Sequence, residues 1–311
     1  MGEAIDSVAS QSYADWELIL TDDGSTDGSA IRCDDAASRY ADRVRVIHQP
    51  NSGQASARNA ALDIARGDQI FFMDSDDVLP QNAFFMLEEA FQTTNADIVC
   101  GKMIKFSSSL PQESTSWKIM QTYSGVEAVE DALYQRVLDN SVGGKLYSAR
   151  IWKDLRFREG TYYEDLDIFY KAFLRANKIV NISAATYYYR QHSSSYIHTF
   201  NMRRSDMLHT TFRIREYMER HCPELVEAAR SRQFSANFNM LMLLSANKNK
   251  IGASSETDAE KMAEECRSLI REMRKEILLN SKTPLKNRIG VLATLILGFP
   301  LTEQLGKCFY R

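Results

Sequence analysis

Two short apolar runs that each end in a cluster of aspartates constrain this chain more than any other feature. Residues 16–21 form one run and lead into Asp22-Asp23-Gly24, and residues 69–73 form another and lead into Asp74-Ser75-Asp76-Asp77. Between them, 29–40 spaces its small and apolar residues helically, 44–48 is a β-branched run, and 56–65 is a small-residue helix. The order β-α-β-α-β calls for parallel strands joined by crossover helices, a doubly wound α/β sheet. The pattern continues with a helix over 81–93 and a strand over 97–106. Ser124 followed by Glu127 is a capping box that opens a helix expected over 124–140, with Val126, Val129, Leu133 and Val137 as its apolar stripe. Past residue 200 the strand signals fade, and 205–219, 223–246 and 258–279 read as helices. The expected division is an α/β domain over 1–200 and an α-helical region over 201–311.

The acidic clusters sit just past strand ends, where open α/β sheets bind ligands. Carboxylates held together repel and raise one another's pKa, and a divalent cation among them resolves the conflict. All-oxygen ligands select Mg²⁺ or Mn²⁺, and with one or two carboxylates engaged the remaining positions are open to phosphate oxygens. Two other readings exist. Aspartates after strands also form turns and cap helices, a role open to Asp22 and Asp27. Asp23, Ser25, Asp27, Gly28 and Asp34 fall at EF-hand spacing, but a strand rather than a helix precedes them.

The segments 16–29, Asn51-Ser52-Gly53 leading to Ala57-Arg58-Asn59, and Met73-Asp74-Ser75-Asp76-Asp77, in that order, resemble the nucleotide-binding half of family 2 glycosyltransferases. The resemblance extends more weakly through 140–147, Tyr163-Glu164-Asp165 and Tyr187-Tyr188-Tyr189-Arg190. It implies a GT-A type, Rossmann-like, mostly parallel sheet and a metal-dependent enzyme. Such an enzyme moves a sugar with inversion from a nucleotide-diphospho-sugar, UDP-sugars first, to a saccharide or lipid-linked acceptor in surface polysaccharide synthesis. By that similarity Asp23, with Asp22 beside it, contacts the donor's base and Arg58 lies near base and ribose. Asp74 and Asp76 form the D-x-D pair, with Asp76 the first metal ligand and Asp74 nearer the ribose and donor sugar. Asp165 is the catalytic base with Glu164 as the alternative, and Arg190 and His192 approach the diphosphate. Asp165 could instead cap the helix that follows it.

Family members also carry an apolar strand ahead of the segment matched by Ser7 to Gln11, so the resemblance implies an N-terminally truncated chain, or a remnant without turnover. Lys145 and Tyr147 are weaker candidates for donor or acceptor contact, Tyr187 to Tyr189 read as strand packing, and His48 reads as structural.

The remaining features narrow the class. A formal net charge of −3 gives no footprint for nucleic acid. Five scattered cysteines include no CxxC pair, which fits a reducing cytoplasm, and 1–11 has no signal-peptide character. A nucleotidyltransferase would need a glycine-rich phosphate loop that the chain lacks. The apolar run 289–301 is too short to cross a bilayer. Lys282, Lys286 and Arg288 before it and Lys307 and Arg311 after it suit peripheral contact of 282–311 with the inner face of an anionic membrane; a core-facing terminal helix is the alternative.

Overall fold

The computed structural model describes residues 1–191, 201–251 and 253–306, with the backbone alone for 253–255. Its elements divide into two compact units, one of 1–129 with 140–193 and the other of 130–139 with 194–311.

The first unit is α/β. Its elements are α1 (Gly2–Ala9), β1 (Leu18–Asp22), α2 (Ser29–Arg39), β2 (Val44–His48), α3 (Gln54–Ile64), β3 (Gln69–Phe71), α4 (Ala83–Thr94), β4 (Ile98–Phe106), β5 (Ile119–Tyr123), the first half of α5 (Gly125–Leu133), β6 (Lys145–Ser148), α6 (Glu164–Leu174) and β7 (Ile179–Arg190). The expected β-α-β-α-β order is present, and Val44–His48 matches its expected span at both ends. β1 and β2 pair in parallel, from Leu18 opposite Val44 to Asp22 opposite His48. The remaining strands form a five-stranded sheet in the order β3-β6-β4-β7-β5. Within it β4 and β7 run parallel, whereas β6 runs against both β3 and β4, and β5 runs against β7. The crossover segments thus give β3, β4 and β7 one direction, and the short strand β6 enters between them reversed. Among the described residues β1 pairs only with β2, and β3 only with β6.

One core lies between α4 and the sheet, where Met86, Leu87 and Ala90 meet Val99, Leu146, Val180 and Ile182. Each fully buried aliphatic side chain of this kind is worth about 1.5–3 kcal/mol. Alternation delivers those strand residues to one face, and the i, i+1, i+4 spacing of Met86, Leu87 and Ala90 delivers one stripe of α4. A second, aromatic cluster joins Phe72 to Trp152 at 4.7 Å and to Phe157 at 5.4 Å between ring centroids. It lies next to the candidate site.

The capping box at α5 forms: Ser124 N–H donates to Glu127 at 2.7 Å and Glu127 N–H to Ser124 Oγ at 3.3 Å. The helix stops at Leu133, however, short of the expected 140. Gln135 takes a left-handed φ of 56°, and the Asp131 carboxylate accepts the N–H groups of Val137 and Leu138 at 2.9 and 2.7 Å. A side chain has replaced the next helical turn as hydrogen-bond partner. Val129 and Leu133 are buried, whereas Val126 and Val137 are exposed, so only half of the expected stripe reaches a core.

The second unit is helical: α7 (Asp206–His221), α8 (Val226–Ala246), α9 (Ala253–Leu279), α10 (Leu285–Ile296) and α11 (Gly298–Gly306). Its core gathers Phe234, Met240 and Leu241 from α8 with Cys266, Ile270 and Met273 from α9. Among the described residues no helix is long and apolar enough to cross a membrane.

Candidate active site

The site is assembled by loops that leave the C-terminal ends of β1 and β3 and by the first turn of α6. At the end of β1, Asp22 is buried. Its carboxylate accepts Ser25 N–H at 3.1 Å and meets His48 Nδ1 at 3.1 Å. Bonds from Ser25 and then His48 hold it below the ordinary carboxylate range. His48, whose other ring nitrogen lies 2.9 Å from Asp34, is correspondingly raised by Asp34 and Asp22. Asp23 accepts Ser52 N–H at 2.8 Å, Gly53 N–H at 2.7 Å and Gln49 Nε2 at 2.7 Å. It therefore fastens the Asn51-Ser52-Gly53 loop to the end of β1. Gly24 is required there, because its φ is 71° and a Cβ would lie 2.8 Å from Asn51 N.

That loop starts α3, which carries Arg58 into the centre of the site. One guanidinium nitrogen of Arg58 donates to Asp165 at 2.6 Å and to Glu164 at 2.9 Å, and the other donates to Asp74 at 2.8 Å. The cation also lies 5.3 Å from the Phe157 ring centroid. The neighbouring Asn59 explains why the loop holding Phe157 stays there, since its amide exchanges bonds of 2.9 and 2.8 Å with the Phe157 backbone. Arg58 is thus the hub that joins the D-x-D loop to the acidic pair of α6.

Glu164 and Asp165 open α6, whose N-cap is Tyr163 without a side-chain capping bond. Asp165 does not serve as the cap. Its carboxylate is held by Arg58 and by Val142 N–H at 3.3 Å. Burial pushes the Asp165 carboxyl up, against the opposing pull of Arg58. Burial, with repulsion from Asp165, pushes Glu164 to about 7. A carboxyl group near 7 is matched to proton transfer at neutral pH.

The D-x-D loop is clasped at both ends. Phe72 bridges Gly143, and Val78 exchanges bonds of 3.2 and 2.9 Å with Tyr188. Asp74 accepts from Gln54 at 3.0 Å as well as from Arg58, while its N–H donates to Tyr187 Oη at 3.0 Å. Asp76 is exposed. Asp77 is buried, accepts Arg190 N–H at 2.7 Å, and is pushed by burial to about 7. Arg190 Nε donates to the Asp76 carbonyl at 2.8 Å, and its guanidinium also pairs with Glu3. Among the described residues no group of three or more His, Cys, Asp or Glu side chains forms a closed metal cage. Asp74 and Asp76 are instead two hard-oxygen residues on one loop, Asp74 engaged by Arg58 and Gln54 and Asp76 exposed. This donor set fits an Mg²⁺ or Mn²⁺ that keeps open positions for phosphate oxygens.

Val142 N–H and the Tyr187 phenol escaped the sequence reading, and Lys145 was only a weaker candidate in it. Lys145 is a buried cation rather than a solvated one. Its Nζ donates to Ser141 O at 2.7 Å, and its charge acts on Asp165. Tyr187, read as strand packing, also places its phenol against the Asp74 backbone. Val142 N–H reaches Asp165. The signal available in the sequence was Gly143-Gly144, since Gly144 has φ 73° and lies against Tyr187, where a Cβ would be 3.2 Å from its own. Arg190 reaches the D-x-D loop; His192 lies outside the described residues.

A family model described as glycosyl transferase family 2 matches residues 1–156, just over half of the chain. The chain belongs to this glycosyltransferase family. Glycosyltransferase GlyG of Streptococcus pneumoniae is 30% identical over 211 residues, covering 63% of this chain and 68% of that protein. The uncharacterized glycosyltransferase EpsJ of Bacillus subtilis is 32% identical over 200 residues, covering 62% of this chain and 58% of its own. Among solved structures, S. aureus TarS 1–349 is similar with a TM-score of 0.67 at 20% identity, over 99% of this chain and 86% of that one. The same protein in complex with UDP-GlcNAc gives 0.65 at 19% identity. This likeness establishes the GT-A type fold.

Proposed function

We propose that this family 2 chain transfers a sugar, with inversion, from a nucleotide-diphospho-sugar to a glycan or lipid-linked saccharide in the cytoplasm, in surface polysaccharide synthesis. The observation that carries the reading is Arg58, whose single guanidinium draws Asp74 of the D-x-D loop to Glu164 and Asp165. A group that handles a phosphorylated leaving group and a group that handles a proton are thereby held together. UDP-sugars are the first donors to test, since TarS, similar in fold, was solved with UDP-GlcNAc.

Inverting transfer is one displacement at the anomeric carbon. Asp165, with Glu164 as the alternative, takes the acceptor hydroxyl proton as the new glycosidic bond forms and the bond to the diphosphate breaks. Arg190 faces the departing charge. Asp23, with Asp22 beside it, would contact the donor's base, and Asp23 also fastens the neighbouring 51–53 loop. Asp76, with Asp74, would hold Mn²⁺ or Mg²⁺, which when bound neutralises the diphosphate.

Asp76→Asn tests this assignment, because an amide retains the oxygen but loses the charge that holds a divalent ion. Calorimetry with UDP-sugars should show Mn²⁺-dependent binding in the wild type and none in the variant. Metal-independent binding of equal strength in both would remove the metal from the proposal.

A further inference from the structure

The burial of α10 and α11 is inverted relative to an ordinary helix of a globular core. α10 turns Asn287, Gly290, Val291 and Thr294 inward. Leu285, Ile289, Leu292 and Ile296, at i, i+4, i+7 and i+11, lie outward at 68%, 55%, 46% and 78% exposure. α11 adds Leu301 and Leu305, exposed at 53% and 52%. The helix cannot roll to hide these residues. Asn287 Nδ2 donates to buried Ser235 Oγ at 2.6 Å, and Gly290 lies so close to the Phe238 ring that a Cβ would be 2.8 Å from it. The segment 289–301 thus meets the core through Val291 and Phe299 while most of its larger aliphatic side chains face outward, and an apolar stripe this continuous marks an interaction surface.

Charge selects the partner. Residues 282–306 contain Lys282, Lys286 and Arg288 and a single acid, Glu303. That acid is turned inward to Arg267 at 2.9 Å. Lys282 pairs with Glu130 at 2.7 Å and Lys286 donates to the neutral Gln135 Oε1 at 3.1 Å, so Lys286 and Arg288 carry the positive charge beside the stripe. A two-fold contact between copies through this face would set those cations against themselves, since the segment's one acid, Glu303, is already paired with Arg267. At about 1.5 Å rise per residue neither helix can cross a hydrocarbon core of about 30 Å. We propose that α10 and α11 lie in the surface of an anionic lipid bilayer, with the Leu285–Ile296 stripe in the acyl boundary and Lys286 and Arg288 at the headgroups. This inference is independent of the sugar-transfer reading.

The test is co-sedimentation of the full chain with phosphatidylglycerol-containing vesicles and with pure phosphatidylcholine vesicles, alongside sedimentation velocity without lipid. The wild type should partition onto the anionic vesicles and little onto phosphatidylcholine. Leu292→Glu with Ile296→Glu should lower partitioning tenfold or more, and Lys286→Gln with Arg288→Gln by roughly fivefold per cation removed. All four positions leave the buried side of α10 unchanged apart from half-covered Arg288, so matching thermal melts confirm that folding is retained. Failure to sediment with anionic vesicles, or sedimentation that the glutamate substitutions leave intact, overturns the proposal. So does a lipid-free dimer that those substitutions dissociate while vesicles capture nothing, which would assign the stripe to a second copy.

Discussion

Asp165→Asn should reduce sugar transfer by about 10² to 10⁴ while leaving donor affinity within roughly twofold of wild type. The substitution preserves shape and leaves an amide oxygen to accept from Val142 N–H, but it removes the basic lone pair that takes the acceptor proton. Arg58 keeps Glu164 and Asp74, so the D-x-D loop stays tethered. Calorimetric titration with donor and a nucleotide-release assay separate the two effects. Loss of the Asp165 charge also removes a repulsion that helps hold Glu164 near 7, so residual activity should titrate at lower pH than in the wild type. An equal fall in donor affinity would place Asp165 in donor binding. Full activity in Asp165→Asn with loss in Glu164→Gln would transfer the role to Glu164.

Arg58→Met should destabilise the protein by about 3–5 kcal/mol at pH 8, the cost of leaving buried carboxylates without their cation. The loss falls on Glu164 and Asp165, since Asp74 is 39% exposed and its pairing is screened by solvent. Its pH dependence has a definite sign. Both α6 carboxyls already sit above their ordinary range, and without the guanidinium they rise further. A raised folded-state pKa favours the protonated form, so its contribution is intact below the unfolded value and is lost as pH rises through the folded one. The deficit should therefore shrink from pH 8 toward pH 5. Arg58→Lys should fall between, because an ammonium lacks the fork that reaches three carboxylates. Urea denaturation at the two pH values measures this, and a deficit below about 1 kcal/mol at both, or one that grows on acidification, would show that Arg58 is not the hub.

The elements that were legible are those whose signals are local. Val44–His48 was readable residue by residue because a β-branched run bounded by polar residues has few alternatives. The Ser124 and Glu127 box fixed the start of α5, but its end depended on Asp131 capturing two N–H groups that the apolar spacing does not reveal. β5 was missed because Ile119 to Thr122 are all exposed and show no alternation. The segment 289–301 was ambiguous for a different reason. Its apolar content is identical whether the leucines face a core or solvent, and the choice was made by Asn287 and Gly290 fitting the inner surface.

The sequence by itself determined the order of elements, the family, and which aspartates follow which strands, since turn chemistry and periodicity act over a few residues. Only the tertiary structure decided what each charge meets. Arg58 comes from α3, Asp74 from the loop after β3, and Glu164 and Asp165 from α6, a separation of 106 residues between Arg58 and Glu164. Lys145, a weaker candidate by sequence, is buried near Asp165 because two glycines let its strand approach Tyr187. The chemistry of a carboxyl group is set by the dielectric and the cations within a few ångströms of it, and in this chain those neighbours are contributed by segments that only folding brings together.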